Sequence, residues 1–420
     1  MTHADPALAA PPLHHRPRRM VGRDIGERHR AATPLELLFD LTFVVAFSQA
    51  GAQAAHLLEL GHYGPAIVGF GLGLFGVIWA WINYTWLASA FDNDDLWFRL
   101  ATFVQMVGVI ILALGLPALF HSIDEGHHLD NVLLVAGYIV MRVPAIALWL
   151  RAARHNPAHR GAALRYAGLV ALMQVGWIVL MLIDPPLVVA VALFVALGTS
   201  EMLVPWIAER NGRSTPWHPH HIAERYSLLT IITLGEVVLG TVLSVSAVVE
   251  EEGWSLGAGV IAFGGTALAF GLWWTYFMMP SAAVLSVRRD RSFAWGYGHI
   301  AIFASIAATG AGLHVAAYAI RDEAHIDDIA ALGTVVVPVG LFVLALYVIY
   351  TALLGRLDPF HLLLVVGTLV VLAAAVVAVA VGASLSVGIG IIALAPVVSI
   401  VGYETAGHRH QAAILAELRG

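Results

Sequence analysis

The 420-residue chain is 59% hydrophobic and only 12% charged, with a formal net charge of −6 and a mean hydropathy of +0.81. A soluble domain carries about twice that charged fraction, so a soluble globular protein is excluded and lipid is the expected solvent of the long apolar runs. There is no cysteine and no lysine, all 22 basic residues being arginine. Their absence excludes thiolate chemistry, a P-loop with its phosphate-reaching lysine, and a Schiff base to retinal or pyridoxal phosphate.

In chain order, residues 1–33 are polar, proline-bearing and rich in basic groups: His14, His15, Arg16, Arg18, Arg19, Arg23, Arg28 and Arg30. No apolar signal-peptide core precedes Pro34, and the stretch is expected to be a disordered cytoplasmic arm that touches anionic lipid. Twelve apolar segments follow, each of about the 20 residues that a crossing helix needs. They run over 34–55, 65–88, 98–120, 130–150, 164–183, 187–208, 222–248, 256–279, 295–320, 329–354, 360–381 and 384–404. The last boundary rests on Gly382 and Ser384 alone. The expected fold is an all-α integral membrane protein of about 12 transmembrane helices. It divides into a first six-helix repeat (34–208), a cytoplasmic linker (209–221), a second six-helix repeat (222–404) and a cytoplasmic tail (405–420).

Arginine placement orients the spans, because basic loops stay in the cytoplasm. One set of loops holds Arg151, Arg154, Arg160, Arg210, Arg213, Arg288, Arg289, Arg291, Arg356, Arg409 and Arg419. The alternate loops hold Asp124, Glu125, Asp184, Glu250 to Glu252, Asp327 and Asp328, with Arg321 as the exception. Both termini are therefore expected inside. The turn Asp92, Asp94, Asp95 departs from the pattern, and Arg99, one turn on, is expected to neutralise Asp95.

The halves resemble one another at an offset that grows from 188 to 203. Glu36 and Leu41-Thr42 align with Glu224 and Leu229-Thr230. Phe75-Gly76, Trp79 and Trp81 align with Phe270-Gly271, Trp274 and Tyr276, Arg99 with His299, and Glu201 with Glu404. Six spans per half is an even number, which predicts two parallel repeats about an axis along the membrane normal.

Ionisable groups in hydrocarbon cost several kcal/mol, so each needs a partner or a task. Glu36 and Asp40 share a face of the first span with Phe43 and Phe47; a helix-cap role accounts equally well for Glu36. Glu236 lies near the bilayer centre in the seventh span, beside Gly235. Arg142 lies at similar depth in the fourth, two residues before the kink expected at Pro144. A static pair between Arg142 and either Glu236 or Asp40 is the plain structural alternative. His299 and His314, on the ninth span, are expected to be hydrogen-bonded structural groups more readily than proton relays. Trp217-His218-Pro219-His220-His221 reads as a solvated turn before it reads as a metal site. Trp79, Trp81, Trp86, Trp273, Trp274 and Tyr276 read as packing groups and interfacial anchors.

At these motifs the chain resembles the bacterial low-temperature-requirement A (LtrA) family of multi-pass membrane proteins, from about residue 30 to 400. The resemblance is borne by Glu36-Leu-Leu-Phe39-Asp40-Leu-Thr-Phe43-Val and by Trp81 with Phe91-Asp92-Asn-Asp94-Asp95 and Arg99. Met141-Arg142, the run from His221 through Glu224-Arg225 to Gly235-Glu236, Trp273-Trp274-x-Tyr276 and His299 complete it. The repeats depart from one another at Leu228, opposite Asp40, and at Ser48, opposite Glu236. The family name implies a role in growth at low temperature and specifies no substrate.

The working expectation is an inner-membrane secondary transporter or permease of a small solute or ion, coupled to protons, with the path between the halves. Asp40, Glu36, Arg142, Glu236, His299 and His314 are its path candidates, with Arg99, Glu224, Arg225, Trp81 and Trp274 as supporting residues. An ion channel of two six-helix repeats, with Glu36, Asp40 and the phenylalanines along a pore, and a non-transporting protein of cold growth or stress are the alternatives. No nucleophile–base pair and no H-E-x-x-H motif points to an enzyme. The expected surroundings are the lipid bilayer and the unidentified solute, without cofactor, metal or nucleic acid, and assembly as a homo-oligomer stays open.

Overall fold

The computed structural model describes residues 15–24, 26, 27, 30–210 and 214–419. The expectations for residues 1–14, Arg28 and Arg213 lie outside the described residues. Among those described, helices α1 to α15 alternate with short turns and no strand occurs. The first group of spans is α1 (Pro34–Glu59), α2 (Tyr63–Phe91), α3 (Leu96–Glu125), α4 (Val132–His155), α5 (Arg160–Ile183) and α6 (Leu187–Glu209). The second is α7 (Pro219–Glu252), α8 (Leu256–Phe277), the short α9 (Ser281–Val287), α10 (Ser292–Ile320), α11 (Asp328–Leu354), α12 (Pro359–Ala380), α13 (Leu385–Ile392), α14 (Ala395–Gly402) and α15 (His408–Arg419). Among the described residues twelve helical stretches are long and apolar enough to cross a bilayer; the chain is a multi-pass helical membrane protein.

Most helices overrun the expected spans by a few residues, because the chain ends them with caps rather than at the last apolar residue. Thr33 and Glu36 form a reciprocal capping box at α1, with Pro34 in the first turn. Asp95, Ser255, Asp327 and Asp358 cap α3, α8, α11 and α12 through their side chains. Gly126 and Gly355 close α3 and α11 in the left-handed conformation. Pro144 lies inside a continuous α4. The last span is the broken one: α13 and α14 are separated at Ala393–Leu394, and a π-turn at Tyr403–Gly407 leads into α15. The expected tail, 405–420, is thus largely helical.

In the first group α1 packs on α2 and α3, then α3 on α4, α4 on α5 and α5 on α6. In the second, α7 packs on α8 and α10, then α10 on α11, α11 on α12, and α12 on α13 and α14. The groups meet where α1 and α2 touch α7 and α10. The outer faces stay apolar and open, as at Val188, Leu256 and Phe263, which only lipid accommodates.

Two loop regions differ from expectation. Residues 15–24 and 30–33 form a seated strap. Met20 is fully buried, the Arg18 N–H donates to Asp95 (2.9 Å), and the Met20 N–H donates to His155 Nδ1 (3.1 Å). Arg30 donates to the carbonyls of Ala88 and Ser89 at the end of α2. A helix end leaves carbonyls short of partners; the Asp92 N–H also reaches the Ala88 carbonyl (2.9 Å), and the guanidinium adds its donors there and fixes the strap. The Trp217–His221 turn is buried except at His220: His218 Nε2–H donates to the Glu27 carbonyl (2.7 Å), and its Nδ1 accepts the His221 N–H to cap α7.

Close helix contact rests on glycine where backbones meet. A Cβ on Gly137 of α4 would lie 2.6 Å from the Gly108 carbonyl oxygen of α3 and 2.5 Å from the Leu112 nitrogen. Gly137→Val is therefore expected to lower Tm by several degrees or abolish the folded yield. Gly168→Ala, where a Cβ meets open space, is expected to leave Tm within a degree or two. Equal melting of the two variants in detergent would refute this account of α3–α4 packing.

Candidate functional site

Two polar stripes face each other where the groups of spans meet. On α1 the buried positions Glu36, Asp40, Phe43, Phe47, Ala50 and Ala54 recur at three- and four-residue steps, one face of a helix. On α7 His221, Arg225, Leu229, Thr233, Glu236, Gly240 and Ser244 do the same. Both helices start on the arginine side, so they run parallel and pair in order. His221 Nε2 lies 3.1 Å from the Glu36 carboxylate, and Arg225 Nη2 lies 2.6 Å from Asp40 Oδ1. All four side chains are fully buried.

Further donors and rings around them fix this pair of pairs. The Trp81 indole N–H donates to Asp40 Oδ1 (2.7 Å), and Arg225 reaches the Thr85 hydroxyl (3.4 Å). The guanidinium also lies over the rings of Trp81 and Tyr84, where the ring quadrupole favours a cation. Tyr226 packs edge-on to Trp81 and accepts the Trp86 indole N–H (3.0 Å). Five buried atoms of the four paired side chains have no hydrogen-bond partner among the described residues: Glu36 Oε1, Asp40 Oδ2, His221 Nδ1, Arg225 Nε and Arg225 Nη1. An ion pair enclosed in hydrocarbon and left short of hydrogen bonds gives little net stability.

Glu236 stands apart, at the middle of the 34-residue α7. It is 3% exposed and has no cationic partner among the described residues. The Ser48 hydroxyl of α1 hydrogen-bonds it, and Oε2 has no partner. A Cβ on Gly51 would lie 3.5 Å from that oxygen, and one on Gly310 of α10 would lie 2.6 Å from the Glu236 backbone. Small residues therefore let three helices close around one carboxylate. One turn further along α7, Gly240 faces His314 of α10, whose buried Nε2 is also without a partner.

Several expected pairings are corrected. Arg142 meets neither Glu236 nor Asp40: it bonds Glu201 of α6 at 2.7 Å, with Trp177 donating to the same carboxylate and Tyr138 under the guanidinium. The reason is placement, since α4 packs among α3, α5 and α2, away from α7. Arg99 pairs with Asp94 at 2.8 Å, not with Asp95, because Asp94 turns back through a positive φ of 48° while Asp95 caps α3 and takes Arg151. His299 is a satisfied structural group, with Nδ1–H donating to the Trp295 carbonyl (2.7 Å) and Nε2 accepting from Tyr276 (3.1 Å). Glu224 is half-buried on a neighbouring face of α7, and Trp274 is half-buried against Phe270. Trp81 is a hydrogen-bond donor to the site as well as a packing group. Glu201 was missed as a partner, although it is the one carboxylate in the interior of the sixth span and Arg142 needed one.

At the arginine-side rim, burial pushes the Asp92 carboxyl up to about 6, with Glu36 adding to the effect. Burial acts the same way on Asp95. There the Arg151 guanidinium and the N–H groups of Arg18 and Phe98 outweigh it and hold the carboxyl at about 2. Burial, helped by Arg23, lowers Arg30 to about 10.

The family model for the bacterial low temperature requirement A protein (LtrA) matches residues 31–396, which include every residue of both stripes. The chain is also similar to an uncharacterized protein, RA0937, of Rhizobium meliloti (strain 1021). The two are 28% identical over 301 residues, covering 68% of this chain and 69% of that one.

Breaking a buried pair from one side strands the other charge, at a cost of about 3–5 kcal/mol. Asp40→Asn and Arg225→Gln are each expected to lower Tm in detergent markedly. The double variant is expected to recover at least half of the loss. Strictly additive losses would show that the two groups do not interact.

Proposed function

The chain belongs to the bacterial low temperature requirement A family, and we propose that it is a proton-coupled secondary transporter of a small solute in the cytoplasmic membrane. The carrying observation is Glu236: a carboxylate at mid-span, enclosed by three helices, with one oxygen unpartnered and no counter-ion among the described residues. Such a group is costly unless it binds a proton or a cation. Asp40 and Glu36 lie nearer the arginine side on the same helix pair, and His314 lies toward the opposite side. Titratable groups thus succeed one another along α1, α7 and α10. In this reading both termini lie in the cytoplasm, which the arginine-rich loops support.

The repeat reading has support and a counterweight. The order of helix neighbours is alike in the two groups. The contacts Glu36–His221, Asp40–Arg225 and Gly51–Glu236 share an offset of 185, close to the 188 of the internal resemblance. A two-fold axis would also require α3 to pack on α7 as α10 packs on α1, and no comparable contact is made. The matched Glu201 and Glu404 differ as well, one buried and paired, the other exposed. The ion-channel reading is weakened because Phe39, Phe43 and Phe47 are fully buried in ring and helix contacts rather than open to a pore. No enzymatic activity is proposed, and a non-transporting role in cold growth is the outcome if flux is absent.

Proteoliposomes carrying a pH-sensitive dye, scanned across solutes with and without a proton gradient, test this reading. Glu236→Gln mimics the protonated acid and is expected to keep the Tm of the parent while losing at least tenfold in proton-coupled flux. Full coupled flux in that variant, or no flux in the parent under any gradient, would sink the transporter.

Orientation has its own test. Reporters fused within 121–129 and 151–163 are expected to report opposite compartments, with 151–163 inside. Matching signals would overturn the topology.

A further inference from the structure

The strap and the turn after α4 bring arginines together at one corner of the arginine side. Arg16, Arg18 and Arg19 of the strap are exposed, as are Arg154 near the end of α4 and Arg160 at the start of α5. Backbone contacts set the two groups side by side. The Met20 N–H donates to His155 Nδ1 (3.1 Å), so Arg19 adjoins one end of that bond and Arg154 the other. Arg151 also donates to the Arg18 carbonyl (2.7 Å). The nearby acids are taken, Asp94 by Arg99 (2.8 Å) and Asp95 by Arg151. No ion pair among the described residues includes Arg16, Arg18, Arg19, Arg154 or Arg160. Five like charges so placed repel one another unless an anion lies among them.

The same corner stands at the level of lipid headgroups. The His15 carbonyl accepts the Leu96 N–H (2.9 Å) at the first turn of α3. From there Trp97 (56% exposed), Leu100 and Phe103 turn an apolar face outward, which only lipid accommodates. An exposed tryptophan at the end of a span marks the boundary between hydrocarbon and headgroups. A soluble anion would meet the arginines from water alone. A phospholipid meets both surfaces, its phosphate at the guanidinium groups and its chains on the α3 face. Arginine matches a phosphate with two parallel hydrogen bonds.

We propose that this corner binds anionic phospholipid headgroups, and that the bound lipid holds the strap in its seat. Three of the five charges belong to the strap and two to the helices it crosses. A phosphate between the sets turns their repulsion into a bridge from the strap to α4 and α5. The site shares no residue with Glu236 or the buried ion pairs, so it goes beyond the transporter reading and stands whether or not flux is found.

The test is made on the full chain in non-ionic detergent with added phosphatidylglycerol, phosphatidylcholine or inorganic phosphate. The readouts are Tm and the rate of thermolysin cleavage in the strap, where Met20 and Val21 are the apolar targets. Phosphatidylglycerol is expected to raise Tm by several degrees and to slow cleavage at least tenfold. Phosphatidylcholine and inorganic phosphate are expected to do neither. The triple variant Arg16→Gln, Arg18→Gln, Arg19→Gln and the double variant Arg154→Gln, Arg160→Gln are each expected to lose at least half of both effects. Both are expected to keep the parent's Tm in phosphatidylcholine within about two degrees. Arg356→Gln, at a different exposed corner, is expected to keep the full response. Equal effects of the two lipids, inorganic phosphate acting as well as phosphatidylglycerol, an unchanged response in both multiple variants, or an equal loss in Arg356→Gln would overturn the site.

Discussion

The ion pair between Asp40 and Arg225 joins the first helix of the chain to the seventh, in surroundings that offer no water. Apolar contact gives membrane helices little reason to choose one neighbour or one register, because lipid is as apolar as a leucine face. A buried carboxylate and guanidinium do choose. Once Asp40 meets Arg225, His221 falls opposite Glu36 and Glu236 falls opposite Ser48, each at the spacing of the helical turn. The meeting of the two groups of spans is thus registered by polar atoms, and the surrounding aromatic rings fill what remains.

Along that same helix pair the degree of charge matching falls with depth. Near the arginine side each carboxylate has a basic partner. At mid-span the carboxylate has a hydroxyl and two glycines. The packing that encloses Glu236 makes a permanent negative charge there expensive, yet nothing replaces the charge with an apolar side chain. Arg142 and Glu201 show the other solution in the same molecule, a matched pair with an indole donor and a tyrosine ring around it. The contrast separates a charge that holds helices together from one with no counter-charge among the described residues.

The twelve spans were legible because a bilayer demands long apolar runs, and that signal does not depend on knowing any neighbour. Glu36, Asp40, Arg142 and Glu236 stood out for the same reason, as charge where charge is costly, and all four are buried. Their partners were not. Depth along a helix can be read from residue number, but rotation and adjacency are properties of the packed bundle, so Arg142 was matched by depth to the wrong acids. Asp95 and Asp94 exchanged roles through a single positive-φ residue, which no pattern of charge reveals. The Trp217–His221 turn looked solvated because it is rich in histidine and proline, and it is buried because the strap supplies the Glu27 carbonyl.

The strap sets an order on biogenesis. Met20 and Glu27 precede the twelve spans in the chain, but their partners are His155 at the end of the fourth helix and His218 at the start of the seventh. This segment therefore waits, unseated, until the seventh helix has begun to emerge, and then closes over turns that were laid down in between. A nascent chain halted after the sixth span would hold inserted helices and an undocked amino-terminal segment. Protection of that segment from protease would mark the moment when the two groups of helices have come together.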